Sequence, residues 1–224
     1  MHDVIPTFIF WTDIIGTFVF GLTGGFRAIK YELDILGVMA LATAVGVGGG
    51  MTRDVLLDMT PPVALMSPWY LVTTCLAGVC VFFFAKKIAL SWRLVLYADA
   101  VGLGLFVAVG AEKAWIAGLG PVGIMVIATI ASCGGGVIRD MLTHEIPIVF
   151  TDDIYATAAL AGGFIYWASA SLGLPGTVPF FSAMACVIAL RFAALRWKLG
   201  LPRSKKLPLS PSQLAALKKR DNED

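Results

Sequence analysis

The feature that most constrains this chain is a motif that occurs twice: three glycines followed, after two further residues, by Arg-Asp. The first copy covers residues 48–54 and the second residues 134–140, so the copies lie 86 residues apart. The same shift aligns 18 identical pairs among the 51 positions from 13 to 63 without a gap, including Asp13 with Asp99. Chance would give about five identities, so the sequence contains an internal duplication.

The composition predicts a membrane protein. Hydrophobic residues make up 58% of the chain and charged residues only 14%, against about 25% charged in soluble domains. The four cysteines lie in apolar stretches without metal-ligand spacing, and there are only two histidines, so we expect neither a disulfide framework nor a metal site. Catalytic carboxylate pairs, a nucleophile elbow and a phosphate-binding loop are not found in the sequence. We therefore predict a protein that is not an enzyme, has no cofactor and binds no nucleic acid.

Apolar stretches predict an all-α polytopic protein with seven transmembrane helices. A single crossing of a hydrocarbon core about 30 Å thick needs about 20 residues. The 37 uncharged residues 154–190 are too many for one crossing, and the Gly-Pro-rich run 173–179 divides them. The predicted stretches are 4–26, 35–52, 63–85, 94–111, 119–138 and the two parts of 154–190. The predicted organisation is a three-helix repeat (1–91), a second repeat (92–174), a seventh helix (175–199) and a basic tail (200–224).

The basic residues predict the orientation. With the N-terminus outside, the inner loops hold six basic residues and the outer side only Arg53 and Lys113, before the tail adds more on the inside. This follows the positive-inside rule. We expect a multi-pass protein of the inner (plasma) membrane with its C-terminus in the cytoplasm. Because a repeat with three crossings ends on the opposite side, its copy is inserted upside down, as in many transporters.

The glycine triplets, Gly48–Gly50 and Gly134–Gly136, are predicted to meet near the middle of the bilayer. Glycine is a poor helix former, so we expect a loosened backbone whose carbonyls could line an ion path. The alternative is close helix packing through small residues. We also expect Pro61 and Pro147 to end the second and fifth helices.

Charged residues inside the spans are functional candidates because an intramembrane charge costs about 2.5–3.5 kcal/mol. Neighbouring Arg and Asp in one helix are not expected to face each other. We therefore expect the two Arg-Asp pairs to pair across the protein, with the opposite repeat or with the mid-span aspartates. The alternative for the arginines is snorkelling to the interface. The candidates are Asp13, Arg53, Asp54, Asp99, Arg139 and Asp140.

The doubled motif, with a proline seven residues after each Asp, resembles the prokaryotic TRIC (trimeric intracellular cation) channels over residues 10–195. This resemblance implies a homotrimer in the lipid bilayer, with a potassium-conducting pore in each subunit and no metal beyond transient potassium. It also implies that kinked helices 2 and 5 line the pore at Gly48–Gly50 and Gly134–Gly136. Members of the same sequence family are also described as glycine-uptake transporters. A secondary transporter for a small zwitterion such as glycine therefore stays open as the alternative.

Overall fold

The structure, a computed structural model, describes residues 7–84, 92–151, 154–174 and 177–199. The described part is all-helical. Seven helices have 16 to 25 residues and two have four residues. In chain order they are α1 (Thr7–Lys30), α2 (Ile35–Leu56), α3 (Val63–Met66), α4 (Pro68–Phe84), α5 (Trp92–Ile116), α6 (Pro121–Leu142), α7 (Ile148–Thr151), α8 (Ala156–Ser171) and α9 (Val178–Trp197). The predicted basic tail, 200–224, lies outside the described residues.

The helix bounds repeat along the chain. Helices α5 to α8 begin and end 85 to 88 residues after α1 to α4, so each element of the first repeat has a counterpart in the second. Five helices (α1, α2, α5, α6 and α9) are long and apolar enough to cross a membrane, whereas α4 and α8 are shorter. The chain is therefore an all-α, multi-pass membrane protein, and α9 lies outside the duplication.

Several helices run further than the apolar stretches predict, three of them through charged residues of the doubled motif or of α5. Helix α2 continues through Arg53 to Leu56, α5 continues through Lys113, and α6 continues through Arg139 to Leu142. The charged side chains do not end these helices because they are buried and paired inside the protein. Helix bounds drawn at the first charge were therefore about one turn too short.

The prediction that prolines end the second and fifth helices is wrong. Helices α2 and α6 end five residues before Pro61 and Pro147. The backbone leaves the helical conformation at Asp58 and His144, two residues after each helix ends. These residues occupy equivalent positions 86 residues apart and have φ angles of 56° and 55°. Left-handed residues of this kind commonly stop helices.

The interface between the repeats is formed by α1, α2, α5 and α6, where α1 packs on α2, α5 packs on α6, and the contacts α2–α6 and α1–α5 join the repeats. At its centre the rings of Phe20 and Phe106, also 86 residues apart, lie 5.3 Å from each other. Each ring fills the space that a side chain would need at a glycine of the other repeat, Gly102 or Gly16. The small residues thus allow these two aromatic rings, which are equivalent under the 86-residue shift, to contact each other.

Candidate functional site: two buried charge clusters

The first cluster consists of Asp13, Arg53, Asp54, Tyr70 and Lys113, from four different helices. The Arg53 guanidinium donates to both oxygens of Asp13 (3.2 and 3.0 Å) and, through Nε, to Asp54 (2.9 Å). The Tyr70 hydroxyl donates to Asp13 Oδ2 (2.9 Å) and Lys113 Nζ donates to Asp54 Oδ1 (3.0 Å). All five side chains are at most 4% exposed. Two carboxylates face two cations, so the first cluster is electrically balanced.

The second cluster consists of Arg27, Asp99, Arg139, Asp140 and Tyr155. Arg139 donates to Asp99 Oδ1 (2.7 Å) and, through Nε, to Asp140 Oδ1 (2.9 Å). Arg27 belongs to the first repeat, and its Nη2 donates to Asp140 Oδ1 of the second repeat (2.9 Å). The Tyr155 hydroxyl lies beside Gly136, 3.2 Å from where a Cβ at that position would be. These side chains are at most 1% exposed.

A shift of 86 residues relates the two clusters. It carries Asp13, Arg53 and Asp54 onto Asp99, Arg139 and Asp140, and it carries Arg27 onto Lys113. Each aspartate of an Arg-Asp motif thereby receives a basic side chain from the opposite repeat, Lys113 on Asp54 and Arg27 on Asp140. The other oxygen atom of each carboxylate fixes the following loop: Asp54 Oδ2 accepts from Val63 N (3.2 Å) and Asp140 Oδ2 from Ile148 N (2.9 Å). The motif therefore joins the repeats and holds α3 and α7 in place.

The predicted pairing with the mid-span aspartates is confirmed, since Arg53 binds Asp13 and Arg139 binds Asp99. The prediction that neighbouring Arg and Asp do not meet is wrong. The long arginine side chain folds back along its helix, so that Nε of Arg53 and of Arg139 reaches the adjacent carboxylate. Both arginines are 1% exposed, so they lie inside the protein and do not snorkel to an interface.

Two basic residues and two tyrosines were missed as site residues. Arg27 and Lys113 are predicted as loop charges from the sequence, yet both are buried, at 1% and 3% exposure. Their importance could have been predicted from the sequence, because the 86-residue shift places Arg27 on Lys113. A search for identical residues overlooks this pair, since one is Arg and the other Lys. No such signal identifies Tyr70 and Tyr155, because the shift carries Tyr70 onto position 156.

The second cluster continues to the protein surface at Glu145, in the turn after α6. Glu145 accepts hydrogen bonds from the Tyr31 hydroxyl (2.6 Å) and Lys30 Nζ (2.9 Å), and it also pairs with Arg27. Partial burial opposes ionisation, but the hydrogen bonds from Tyr31 and Lys30 and the charge of Arg27 lower the pKa of Glu145 to about 2. Glu145 is therefore ionised at physiological pH and ties the end of α1 to the end of α6.

Helix α9 also reaches the second cluster although it lies outside the duplication. Arg191 is 1% exposed, its Nη1 donates to the carbonyl oxygen of Ile154 (2.8 Å), and its guanidinium lies 4.6 Å from the centre of the Tyr155 ring. A guanidinium over an aromatic face is an attractive cation–π arrangement. Helix α9 thus helps to hold the Tyr155 side chain beside Gly136.

The glycine triplets lie where α2 and α6 cross. Both helices continue through their triplets without interruption, so the expected loosening of the backbone is wrong. The central glycines face backbone: a Cβ at Gly49 would overlap the carbonyl oxygen of Ala131, and a Cβ at Gly135 that of Val45. These two contacts are equivalent under the shift, and they show that the central glycines serve close packing.

The last glycine of each triplet has different surroundings. A Cβ at Gly50 would lie 3.5 Å from Phe106 and 3.6 Å from Arg53 Nη2, at ordinary contact distance. At Gly136 it would lie 3.2 Å from the Tyr155 hydroxyl. Gly50 and Gly136 therefore face the charge clusters, whereas Gly49 and Gly135 face the opposite helix.

A partly open cavity of about 380 Å³ leads to the first cluster. Asp13, Tyr70 and Lys113 form its polar end, and apolar side chains that include Ile9 and Phe10 form its walls. Beyond Asp13 and Tyr70, the space bordered by Gly50, Arg53 and Phe106 is too narrow for a water molecule. The cavity therefore ends at the first cluster, and the narrow space beyond it reaches Phe106.

Solved structures of TRIC channels have the same fold. The chain is 36% identical to the TRIC trimeric intracellular cation channel orthologue from Rhodobacter sphaeroides, with a TM-score of 0.83 and coverage of 87% of this chain and all of the other. A further structure, from work on conductance through TRIC cation channels, is 34% identical with a TM-score of 0.82, covering 88% of this chain and 98% of the other. This chain belongs to the prokaryotic TRIC family. The TRIC structures are of channels, which agrees with the prediction that the chain is not an enzyme.

Sequence comparisons agree with the TRIC assignment. The family model described as "Glycine transporter" matches residues 10–86 and again 96–171, so its two matches also start 86 residues apart. The chain is 36% identical over 197 residues to the UPF0126 inner membrane protein YadS of Escherichia coli, covering 87% of this chain and 95% of that protein. It is 34% identical over 193 residues to a UPF0126 membrane protein of Vibrio cholerae, covering 85% and 80% of the two chains.

Proposed function

We propose that the protein is a potassium-permeable cation channel of the inner membrane. The observation that carries the proposal is the cavity that ends at Asp13, Tyr70 and Lys113, where Asp13 and Lys113 pair with Arg53 and Asp54 of α2. The similarity to TRIC cation channels supports a cation as the transported species. The path would run past Gly50 and Gly136, from the first cluster to the second, and the contact between Phe20 and Phe106 would close it between them.

The chemistry of the clusters suits a path that binds no cation tightly. Each carboxylate of the two clusters already accepts hydrogen bonds from an arginine or a lysine, so its charge is compensated. A potassium ion passing such a balanced group meets polar oxygen atoms without a deep electrostatic well, and conduction requires binding that is weak enough for release. Opening of the proposed channel would separate the Phe20 and Phe106 rings and let water enter between them. A hydrophobic constriction conducts ions only when water fills it.

We further propose a homotrimer in the bilayer with one pore in each subunit. The proposed subunit has seven spans, formed by inverted repeats at 1–91 and 92–174 and by the helix of 175–199. The matched helix bounds support this division. The short α4 and α8, of 17 and 16 residues, would cross as the third span of each repeat.

The proposed orientation has the N-terminus outside and the C-terminus in the cytoplasm. Arg27, Arg53, Lys113 and Arg139 are buried and no longer count as loop charges. Without them the proposed inner loops still hold four basic residues, including Lys30, and the proposed outer loops hold none. The positive-inside rule therefore still favours the same orientation.

Cysteine labelling tests this topology. In a background without the four native cysteines, Lys87→Cys and Ser204→Cys should resist an impermeant thiol reagent applied outside intact cells, because both positions would face the cytoplasm. Thr177→Cys should react, because the exposed Thr177 would lie in the outer loop between the sixth and seventh spans. Reaction of the first two positions from outside, with protection of the third, would reverse the orientation.

The alternative function is a secondary transporter for a small zwitterion such as glycine. The opposite charges of Asp13 and Lys113 at the end of the cavity favour it, because they could hold an ammonium and a carboxylate. The description of the matching family model as "Glycine transporter" points in the same direction.

Flux from proteoliposomes separates the two functions. A channel should dissipate a potassium gradient, and the rate of potassium flux should not saturate with potassium concentration in the physiological range. Millimolar glycine should not change this rate. A transporter should exchange labelled glycine across the membrane and show little potassium flux. Saturable glycine exchange without potassium flux would therefore replace the channel by the alternative.

A further inference from the structure

Glu112 differs from the other carboxyl groups inside the helix bundle. Asp13, Asp54, Asp99 and Asp140 each lie within 3.0 Å of a basic nitrogen atom. Glu112, in the last turn but one of α5, has no ion pair within the part of the chain that the structure describes. It accepts a hydrogen bond from the Tyr166 hydroxyl of α8 at 2.5 Å. This half-buried carboxyl group therefore has an orienting donor and no counter-charge.

The surface around Glu112 is aromatic and apolar. The Trp115 ring, 39% exposed, lies 6.5 Å from the Tyr166 ring, and Ile116, one helical turn after Glu112, is 37% exposed. Glu112 lies four residues before the end of α5 at Ile116, and Tyr166 five residues before the end of α8 at Ser171. Aromatic side chains near helix ends are typical of the depth at which lipid headgroups begin.

We propose that Glu112, Tyr166 and Trp115 form a binding site for the primary ammonium group of a bilayer phospholipid, with phosphatidylethanolamine as its chemical type. Tyr166 occupies Oε2 of Glu112, so the ammonium would donate to the other oxygen. The exposed Trp115 would face the same cation, and indole attracts cations through its ring face. The acyl chains of the lipid would lie along exposed apolar side chains such as Ile116.

Charge and geometry favour this occupant. A carboxylate at the edge of the hydrocarbon is unfavourable without a cation, and within the described residues the chain supplies none there. Lys113 is adjacent in sequence, but it points into the first cluster and donates to Asp54. A cation attached to a lipid can approach from the exposed aromatic side, where the described residues of the subunit place no cation. The proposal requires only that α5 and α8 border lipid, and it does not depend on conduction.

Native mass spectrometry of the purified full-length protein tests the site. The protein is exposed to phosphatidylethanolamine or phosphatidylcholine with identical acyl chains, because the quaternary ammonium of phosphatidylcholine cannot donate an N–H hydrogen bond. We expect the wild type to prefer phosphatidylethanolamine by about threefold, the size expected of a partly exposed ion pair. Glu112→Gln should lose this preference. Glu145→Gln is the matched control and should keep it, because Glu145 has its basic partners within the chain.

Several outcomes would overturn the proposal. Equal binding of both lipids by the wild type would do so without any variant, as would an unchanged preference in Glu112→Gln. If Glu112→Gln dissociates the oligomer and leaves the lipid preference intact, the counter-charge belongs to a second copy of the chain and not to lipid. If Glu112→Gln does not fold, Glu112→Asp keeps the charge but shortens the reach to Tyr166, and it should weaken the preference without abolishing it.

Discussion

Gly49→Ala and Gly135→Ala are expected to yield little or no folded protein, with a loss of about 3 kcal/mol or more for each. The added methyl group would overlap a carbonyl oxygen of the opposite helix, Ala131 for Gly49 and Val45 for Gly135. Backbone atoms cannot move aside as the end of a flexible side chain can, so α2 and α6 would have to separate. Yield and thermal unfolding of the purified protein measure the effect.

Gly50→Ala is the matched control from the same triplet. Its Cβ meets only ordinary contacts, and alanine is the better helix former by about 1 kcal/mol, so we expect a folded protein of at least wild-type stability. If Gly50 borders the ion path, this folded variant should have a lower potassium conductance. Wild-type stability of Gly49→Ala and Gly135→Ala would contradict the packing account. A folded Gly50→Ala protein with unchanged conductance would remove Gly50 from the path.

Arg53→Lys and Arg139→Lys are expected to destabilise the protein even though the charge is kept. Arg53 donates to both oxygens of Asp13 and to Asp54, and Arg139 joins Asp99 to Asp140. A lysine cannot span both acceptors with its single ammonium group, so at least one buried carboxylate loses a donor. The expected cost is about 1.5–3 kcal/mol for each variant, the range for hydrogen bonds to charged groups.

The control for this pair is Lys30→Arg, at an exposed basic position where the same two residue types should be interchangeable within about 0.5 kcal/mol. Thermal or denaturant unfolding in one detergent gives all three values. If both arginine variants are as stable as the Lys30→Arg control, the guanidinium groups are not the bridging elements of the clusters.

The sequence predicted most of the fold because the duplication is recorded directly in it. The 86-residue shift identifies the equivalent helices, the paired aspartates and the doubled motif. The helix ends were less predictable. An apolar stretch stops at its first charge, whereas α2 and α6 continue through their Arg-Asp pairs, because buried ion pairs replace the water that these groups would otherwise need.

Several details of the site cannot be predicted without knowing which residues are in contact in three dimensions. The role of Gly49 depends on a carbonyl oxygen at Ala131, and every residue has a carbonyl, so no side-chain pattern marks the contact. Tyr70 and Tyr155 both lie at a cluster, but from positions that are not equivalent under the shift. Lys113 and Arg27 could have been recognised by comparing charge instead of identity between the repeats.

The proposal that each subunit contains a cation path is tested most directly by single-channel recording of the purified protein in planar bilayers with potassium on both sides. The expected result is unitary potassium currents that are lower in amplitude for folded Gly50→Ala and unaffected by glycine. The absence of unitary currents from a folded, oligomeric preparation that exchanges labelled glycine would contradict it.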